Sequence, residues 1–560
     1  MDLSRRFHTH HVDNQPPPLE PLDLWMSDPL LREVVEQAGA GAFAARLAEY
    51  GRLAGGELTA LGAEANRHRP QLRSHDRFGH RLDTVEFHPA YHALMATAMR
   101  HGVHALSWQS PVPGAQVARV ALSYLHHQAD PGTTCPLTMT HAGAAVLRRE
   151  PGLARHWLDG LLGSEYSPAL APPASKPALT LGMGMTEKQG GSDVRSNRTE
   201  ALPIGRSADG GEAFALVGHK WFFSAPMSDA FLVLAQEPGA GLSCFLLPRI
   251  TEDGQRNAIR LLRLKDKVGN WSNASSEVEF EGAWARRIGT PGRGVATIIE
   301  MVALTRLDCL LGAAAEMRRG FIEALHHARH RHAFGRRLLE QPLMREVLAD
   351  LALEVEAAVR LAFRIARAID RTPTDPAEAA FARIATGIGK YWLCRRAPTV
   401  VNEAQECLGG AGYVEDSILA RLYREAPLNS IWEGSGNVQC LDVLRALGRE
   451  PGTREALTTA LARAAGCHPV YDRARREIEQ ALAAPLDEAG QQARARGWVE
   501  RLALLLQAGL LAEAGQDGKL DAFCRSRLGH EGGRALGTLP PGCADAAWLD
   551  ASFPAGSAGP

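Results

Sequence analysis

The run Asp350–Asp370, "DLALEVEAAVRLAFRIARAID", decides how this chain is to be read. Leu351, Val355, Val359, Ala362, Ile365 and Ile369 recur at three- or four-residue intervals, the period of one apolar stripe on an α-helix, while Glu354, Arg360, Arg364 and Arg367 fall mostly off that stripe. The spacing predicts a long amphipathic helix with its charges turned away from the core. Similar patterns follow one another from "TPGRGVATIIEMV" (residues 290–302) to about residue 447, and several such helices in series predict a bundle.

Upstream the texture changes. Between about 178 and 290 come short runs bounded by Gly, Pro, Asn and Asp: "AFALVG", "FLVLAQ", "SCFLLP", "IRLLRL" and "SSEVEFEG". In the last, Val278 and Phe280 alternate with Glu277, Glu279 and Glu281, the period-two signature of a strand with one wet face, so this segment predicts a compact antiparallel β domain. The first third reads as helix after a Pro-rich arm (Pro16 to Pro18, Pro21); "SDPLLREVVEQAG" opens with Ser27 as N-cap and closes near Gly39. The expected order is an arm and helical domain over 1–177, a β domain over 178–290, a bundle over 291–447, an Ala/Leu-rich helical block over 448–540 and a disordered tail over 541–560.

Composition narrows the function classes. A chain of 560 residues exceeds what one core organises, and roughly three or four domains follow. With 62 basic and 63 acidic residues there is no global pull toward nucleic acid or membrane; any such binding needs a local patch. Nine scattered cysteines without a CxxC pair argue for reduced thiols, against a disulfide framework and against a zinc site. The N-terminal sequence lacks an apolar h-region and no run of about 18 apolar residues follows, which predicts a soluble cytoplasmic protein with no membrane contact.

Five short stretches carry chemistry. "IWEGSGN" (431–437) sets Glu433 between Trp432 and two glycines, Gly434 and Gly436. Alone it reads as a solvent-facing turn; beside an aromatic that excludes water, the carboxylate gains the raised pKa of a base that takes a proton from carbon. "GMTEKQGGSDVRSN" (184–197) is either an exposed turn or a loop whose N–H groups and hydroxyls, Thr186 and Ser192 among them, grip a planar polar ring and a phosphate, with Gly190 and Gly191 allowing close approach. "GHKWFFSAP" (218–226) packs Trp221, Phe222 and Phe223 ahead of Ser224, as core or as a wall for a flavin. "RHRHAFGRRLLEQ" (329–341) is an arginine cluster suited to phosphate. His326 and His330 lie four apart there, but without an acidic third ligand, so no metal is expected. "LGGAGYVED" (408–416) follows a helical pattern and is not a dinucleotide fingerprint.

In order and spacing, "MTEKQGGSD", "GHKWFFS", "RHAFG" with Gln341 downstream, "LGGAGY" and "IWEGSG" resemble the acyl-CoA dehydrogenase flavoproteins over about residues 30 to 447. The resemblance implies a mainly α fold with a central antiparallel β-barrel, FAD held between barrel and four-helix bundle, and a homotetramer. It implies that Glu433 removes the α-proton of an acyl thioester. Its backbone N–H and a flavin hydroxyl polarise the carbonyl. Some members carry the base on the first bundle helix, where this chain has Thr305 beside Arg306. Met185, Thr186, Gly191, Ser192, Phe222, Phe223, Ser224, Trp432, Gly434, Ser435 and Asn437 fall at or beside the family's FAD contacts, and Arg331, Phe334 and Gln341 where a partner subunit's FAD is met. There are departures: Phe222 stands for a tryptophan, Glu406 for a glutamine, and Trp432 for a tyrosine, the last narrowing the acyl pocket.

The arm "NQPPPLEPLDLWMSD", "LKDKVGNWSNASSEVEFEGAWA" and "YREAPLNSIWEGSGNVQCLDVLRAL" are similar to the AidB branch, bacterial proteins of the adaptive response to DNA alkylation. That likeness implies an extra C-terminal helical domain, here about 448–560, double-stranded DNA as partner, and at most weak isovaleryl-CoA dehydrogenase activity. Arg473 with Arg476, and Arg494 with Arg501, are spaced to share helical faces and to meet phosphates, although the block is not basic overall and a plain solvated surface is the alternative. A working short branched-chain acyl-CoA dehydrogenase is the rival reading of the whole chain, and flavin-dependent dealkylation of bases ranks last.

Overall fold

The computed structural model describes residues 7–153, 157–207 and 210–554. The helix foreseen near the start spans Pro29–Gln37. Its N-cap is Asp28, one residue after the expected Ser27, because the Asp28 carboxylate accepts the Leu31 N–H at 3.0 Å. Gly39 follows the end in the left-handed region, as expected. The first third is not all helix: strands β1 (Gln71–His75) and β2 (Arg81–Glu86) form a hairpin. At the centre lies Ala115–Ala129, buried along its whole length. Such a helix must satisfy its own polar groups, and Arg119 does so by a bidentate pair to Asp308, at 2.5 and 2.6 Å, on the helix Gly294–His330.

The β segment forms a seven-stranded sheet: β3 (Leu181–Gly184), β4 (Glu200–Arg206), β5 (Glu212–Ser224), β6 (Ala230–Glu237), β7 (Gly241–Pro248), β8 (Ile259–Leu264) and β9 (Ser275–Ile288). It is mixed and not purely antiparallel, since β3 and β4 both run parallel to β6. Pairings trace a circuit from β6 through β4, β5, β9 and β7 back to β6, with β4 and β6 touching at Glu200 and Gln236. Val278 and Phe280 of β9 point inward as their alternation predicts.

Three long bundle helices follow: Gly294–His330, Pro342–Arg371 and Pro376–Cys407. The second carries the stripe that opened the reading, but its charges are not in water. Asp350, Glu354, Glu356 and Arg360 are all buried. Glu354 receives Arg396 and Arg527 at 2.9 Å each, Asp350 receives Arg527, and Glu356 receives Arg360 at 2.8 Å and Lys519. Arg527 and Lys519 come from the C-terminal block, which includes helices Pro469–Ala483 and Glu488–Glu513. This block has no core of its own, because Leu457, Val499, Leu505 and Phe523 belong to the same apolar cluster as the bundle.

The chain beyond 541 departs from the expected disorder. Helix Ala547–Ser552 buries Trp548 and Leu549, and Phe553 just past its end is buried too, apolar anchors in an otherwise Gly/Pro/Ala-rich stretch, while 555–560 lie outside the described residues. Among the described residues no helix is long and apolar enough to cross a membrane.

Candidate active site

Glu433 sits in the loop ahead of helix Gly436–Arg449 with φ +58°, a conformation that costs a non-glycine residue of order 1 kcal/mol unless its surroundings hold it. They do. Lys390 donates to the carbonyls of Trp432 and Gly434 at 2.7 and 2.6 Å, Gln439 to those of Glu433 and Gly434 at 3.0 and 2.9 Å, and Arg306 to that of Glu433 at 3.1 Å. Gly434, at φ +95°, has no room for a side chain: a Cβ there would meet Gln439 Nε2 at 2.8 Å. The sequence reading missed Lys390 and Gln439. A lone lysine inside the apolar run "GIGKYWLC" was the available signal, since a buried ammonium needs several acceptors and loop carbonyls supply them.

The Glu433 side chain is half-buried, and Oε2 accepts a hydrogen bond from Thr305 Oγ1 at 2.8 Å. Burial pushes its pKa above the usual carboxylate value, and the Thr305 hydroxyl, Arg306 and Lys390 oppose that rise. Thr305, which stands where some members of the resembled family carry the base, is therefore a hydrogen-bond donor to Glu433.

The loop 184–197 is organised from beneath by Glu187. Its carboxylate is fully buried and accepts Lys220 Nζ at 2.7 Å, Thr199 Oγ1 at 2.6 Å and the Arg198 N–H at 2.7 Å. Burial would raise its pKa, but Lys220 and the hydrogen bonds outweigh it and hold it at about 2. Met185 and Thr186 are half-buried, Ser192 is exposed, and Gly191 lies where a Cβ would meet Thr186 Oγ1 at 2.4 Å. Met185, Trp432 and Leu304 all pack against one apolar cluster.

On β5, Phe222 is 51% exposed, whereas Phe223 is fully buried inside the sheet against Phe231. The expectation that both contact a cofactor fails for the Phe223 ring, because neighbouring strand residues face opposite ways. Ser224 is half-buried, 3.2 Å from Ser275 Oγ. Cys135 lies beside it: burial pushes this thiol up to about 12, with Lys267, Glu433 and Ser224 all close enough to bear on it. Ser435 and Asn437 are exposed at the start of their helix.

The other predicted residues lie apart. Arg331, Phe334 and Gln341 gather on the hairpin at the far end of Gly294–His330, where Gln341 Nε2 donates to the Ala333 carbonyl and Phe334 is 96% exposed. Thr305 and His330 stand 25 residues apart on that helix, roughly 38 Å at 1.5 Å per residue, so one chain does not bring this hairpin to Glu433. Arg473, Arg476 and Arg494 are exposed on the C-terminal block. Arg501 is not available in the same way: its guanidinium donates to the Leu528 carbonyl at 3.1 Å and faces Glu477 at 3.8 Å. His326 bonds the Pro17 carbonyl instead of facing a ligand site. Elsewhere Glu64, His68 and His88 bring one ligand atom each within 4.8 Å of one another, but the two imidazoles stack at 15°, a poor arrangement for sharing an ion.

Comparison with known proteins finds relatives along most of the chain. The pattern of the adaptive response protein AidB N-terminal domain matches residues 14–168, that of the acyl-CoA dehydrogenase middle domain 182–283, and that of the acyl-CoA dehydrogenase C-terminal domain 292–448. The chain is 47% identical over 533 residues to AidB of Escherichia coli (strain K12), spanning 95% of this chain and 96% of that one. It is 32% identical over 433 residues to acyl-CoA dehydrogenase family member 11 of Caenorhabditis elegans, spanning 75% of this chain and 69% of the relative. The crystal structure of Caenorhabditis elegans ACDH-11 in complex with C11-CoA superposes with a TM-score of 0.84 at 27% identity, over 93% of this chain and 94% of that chain.

Proposed function

Because this chain belongs to the acyl-CoA dehydrogenase family and, within it, to the AidB branch, we propose that it is a FAD-containing cytoplasmic protein that binds duplex DNA without strong sequence preference and shields it during alkylation stress. The observation that carries this reading is identity to AidB along nearly the whole chain, the C-terminal block included. Exposed Arg473, Arg476 and Arg494 on that block are the phosphate contacts we assign.

The residues present fit FAD. An exposed aromatic face at Phe222, a loop pinned by Glu187, and Met185 and Trp432 on one cluster suit a flat ring with polar edges. Met185, Thr186, Gly191, Ser192, Phe222, Ser224, Trp432, Gly434, Ser435 and Asn437 would hold it. When bound, FAD supplies a hydride acceptor. The chain's own part is to poise Glu433 as the base for a thioester α-proton: the clamped loop carbonyls fix its backbone, and burial lifts its pKa toward neutrality. We read the pairing circuit of the sheet as a small barrel, and the exposed Phe334 hairpin, too far from its own Glu433, as the piece that meets a neighbouring subunit's FAD in a homotetramer.

The test is made on the full-length FAD-loaded protein. Arg473→Glu with Arg476→Glu should weaken duplex binding for all sequences alike and reduce the salt dependence by about one unit per lost phosphate contact. Affinity equal to wild type, or no binding by wild type, would overturn the assignment. A second reading is a working acyl-CoA dehydrogenase for short branched acyl groups; the Thr305–Glu433 geometry favours it, and the C11-CoA complex of the relative ACDH-11 favours acyl-CoA as ligand without favouring a short acyl group. It predicts anaerobic bleaching of the flavin by isovaleryl-CoA that is abolished in Glu433→Gln.

A further inference from the structure

Trp432 stands next to the base, and its indole is not free to turn. Nε1 donates to Asn429 Oδ1 at 3.0 Å. Asn429, 3% exposed on the turn Leu428–Ser430, donates through Nδ2 to Glu316 Oε1 at 3.3 Å. Glu316, 1% exposed on the first bundle helix, lies 3.0 Å from His127 Nε2 on the central helix Ala115–Ala129. The ring of His127 reaches Glu316 only because residue 312, one turn earlier, is glycine: a Cβ there would stand 2.6 Å from His127 Cε1.

The direction of each bond follows from the chemistry of its ends. An indole N–H only donates, so Asn429 must turn its oxygen toward Trp432 and its NH2 toward Glu316. A carboxylate only accepts, which enforces that same orientation of the amide. His127 Nε2 meets the same carboxylate oxygen, Oε1, and against an ionised carboxylate it is the donor. The line therefore has one consistent polarity from the central helix to the ring beside Glu433, and every member is buried up to the indole.

We infer that His127, Glu316 and Asn429 are positioning residues that lock the Trp432 indole beside Glu433 and thereby set the width of acyl group the site admits. The inference rests on the acyl-CoA reading of that site. Asn429→Ala removes both bonds of the amide. Glu316→Gln preserves shape but lets the facing amides adopt the opposite polarity, which turns NH2 toward an indole that has nothing to accept with. Trp432→Phe keeps a ring and deletes the donor.

Two measurements on the FAD-loaded full chain decide it. The first labels the protein with 5-fluorotryptophan and assigns the residue 432 resonance by its loss in Trp432→Phe. The resonance should be single and sharp in wild type, and shifted or broadened in Asn429→Ala and Glu316→Gln. The second titrates isovaleryl-CoA and straight-chain acyl-CoAs of increasing length, read by flavin absorbance. On preparations brought to equal FAD occupancy, Asn429→Ala and Trp432→Phe should move the ratio of branched isovaleryl to straight-chain affinity by about tenfold toward the branched group, the scale of a methylene or two in an apolar pocket. An unmoved resonance in Asn429→Ala, or a branched-to-straight affinity ratio identical to wild type in both variants, overturns the inference. Should wild type show no flavin response to any acyl-CoA, the acyl-site reading falls and the width-setting role falls with it; the resonance, which needs no ligand, tells that failure apart from failure of the lock.

Discussion

Thr305 Oγ1 lies 2.8 Å from Glu433 Oε2, and this one hydrogen bond ties the first bundle helix to the acid in the loop. A base works only when ionised, and the bond favours the ionised form against the burial that raises its pKa. Thr305→Val should therefore shift the acid limb of the pH profile to higher pH when isovaleryl-CoA bleaching is followed anaerobically. An unshifted limb would separate Thr305 from the ionisation of the base.

Lys390 holds two of the carbonyls that keep Glu433 at positive φ. Replacing it by Met leaves those acceptors short of a charged donor, at about 2–3 kcal/mol. We expect Lys390→Met to lower the melting temperature and to lose FAD on gel filtration more readily than Gln439→Ala, because the charged donor is the stronger of the two. Equal flavin retention in wild type and Lys390→Met would show the clamp to be dispensable.

Glu425 is buried and accepts the Asn270 N–H with both oxygens at 2.9 Å. Burial first, then the nearby Glu316, raises its pKa to about 7. A raised carboxyl contributes stability that is full below its unfolded value and is lost as pH climbs through the folded one, so the loss falls between about pH 4.5 and 7. The stability of wild type relative to Glu425→Gln should accordingly fall from pH 5 to pH 8, by at most on the order of 3 kcal/mol. Thermal melts of both proteins across that range check it; a constant difference would place the Glu425 pKa near its ordinary value.

A chain ending near residue 447 should not fold. It would take Arg527 from Asp350, leave Glu354 with Arg396 alone and Glu356 with Arg360 alone, and open to water the apolar bundle cluster that Val499, Leu505 and Phe523 complete. Expression of that fragment should give aggregate or a protease-sensitive product. A soluble, cooperatively melting fragment would refute this.

Much of the architecture was legible because helix and strand write different periods, and β9 and the helix Pro342–Arg371 did so plainly. What periodicity could not show was where charges end. Glu354 and Glu356 look solvent-facing within their own helix, and Arg360 is the one partner that local spacing offers; Arg396, Arg527 and Lys519 come from elsewhere in the chain, the last two from more than 160 residues away. The site was legible as motifs at Glu433, Met185 and Phe222. Lys390, Gln439 and Asn429 were not, because each acts on a backbone carbonyl or a single ring atom and no local pattern marks such a bond. Phe223 was misjudged for a reason visible only in the sheet: the side of a strand that a given residue takes depends on register.

The cations of the C-terminal block and the anions of the second bundle helix have a consequence for inheritance. A recombination event that moved this block onto another scaffold would separate Arg527 and Lys519 from their acids, taking from Asp350 its arginine and leaving Glu354 and Glu356 with Arg396 and Arg360 alone. The two segments are therefore expected to descend together, and a lineage that lost the block to have neutralised Asp350 as well.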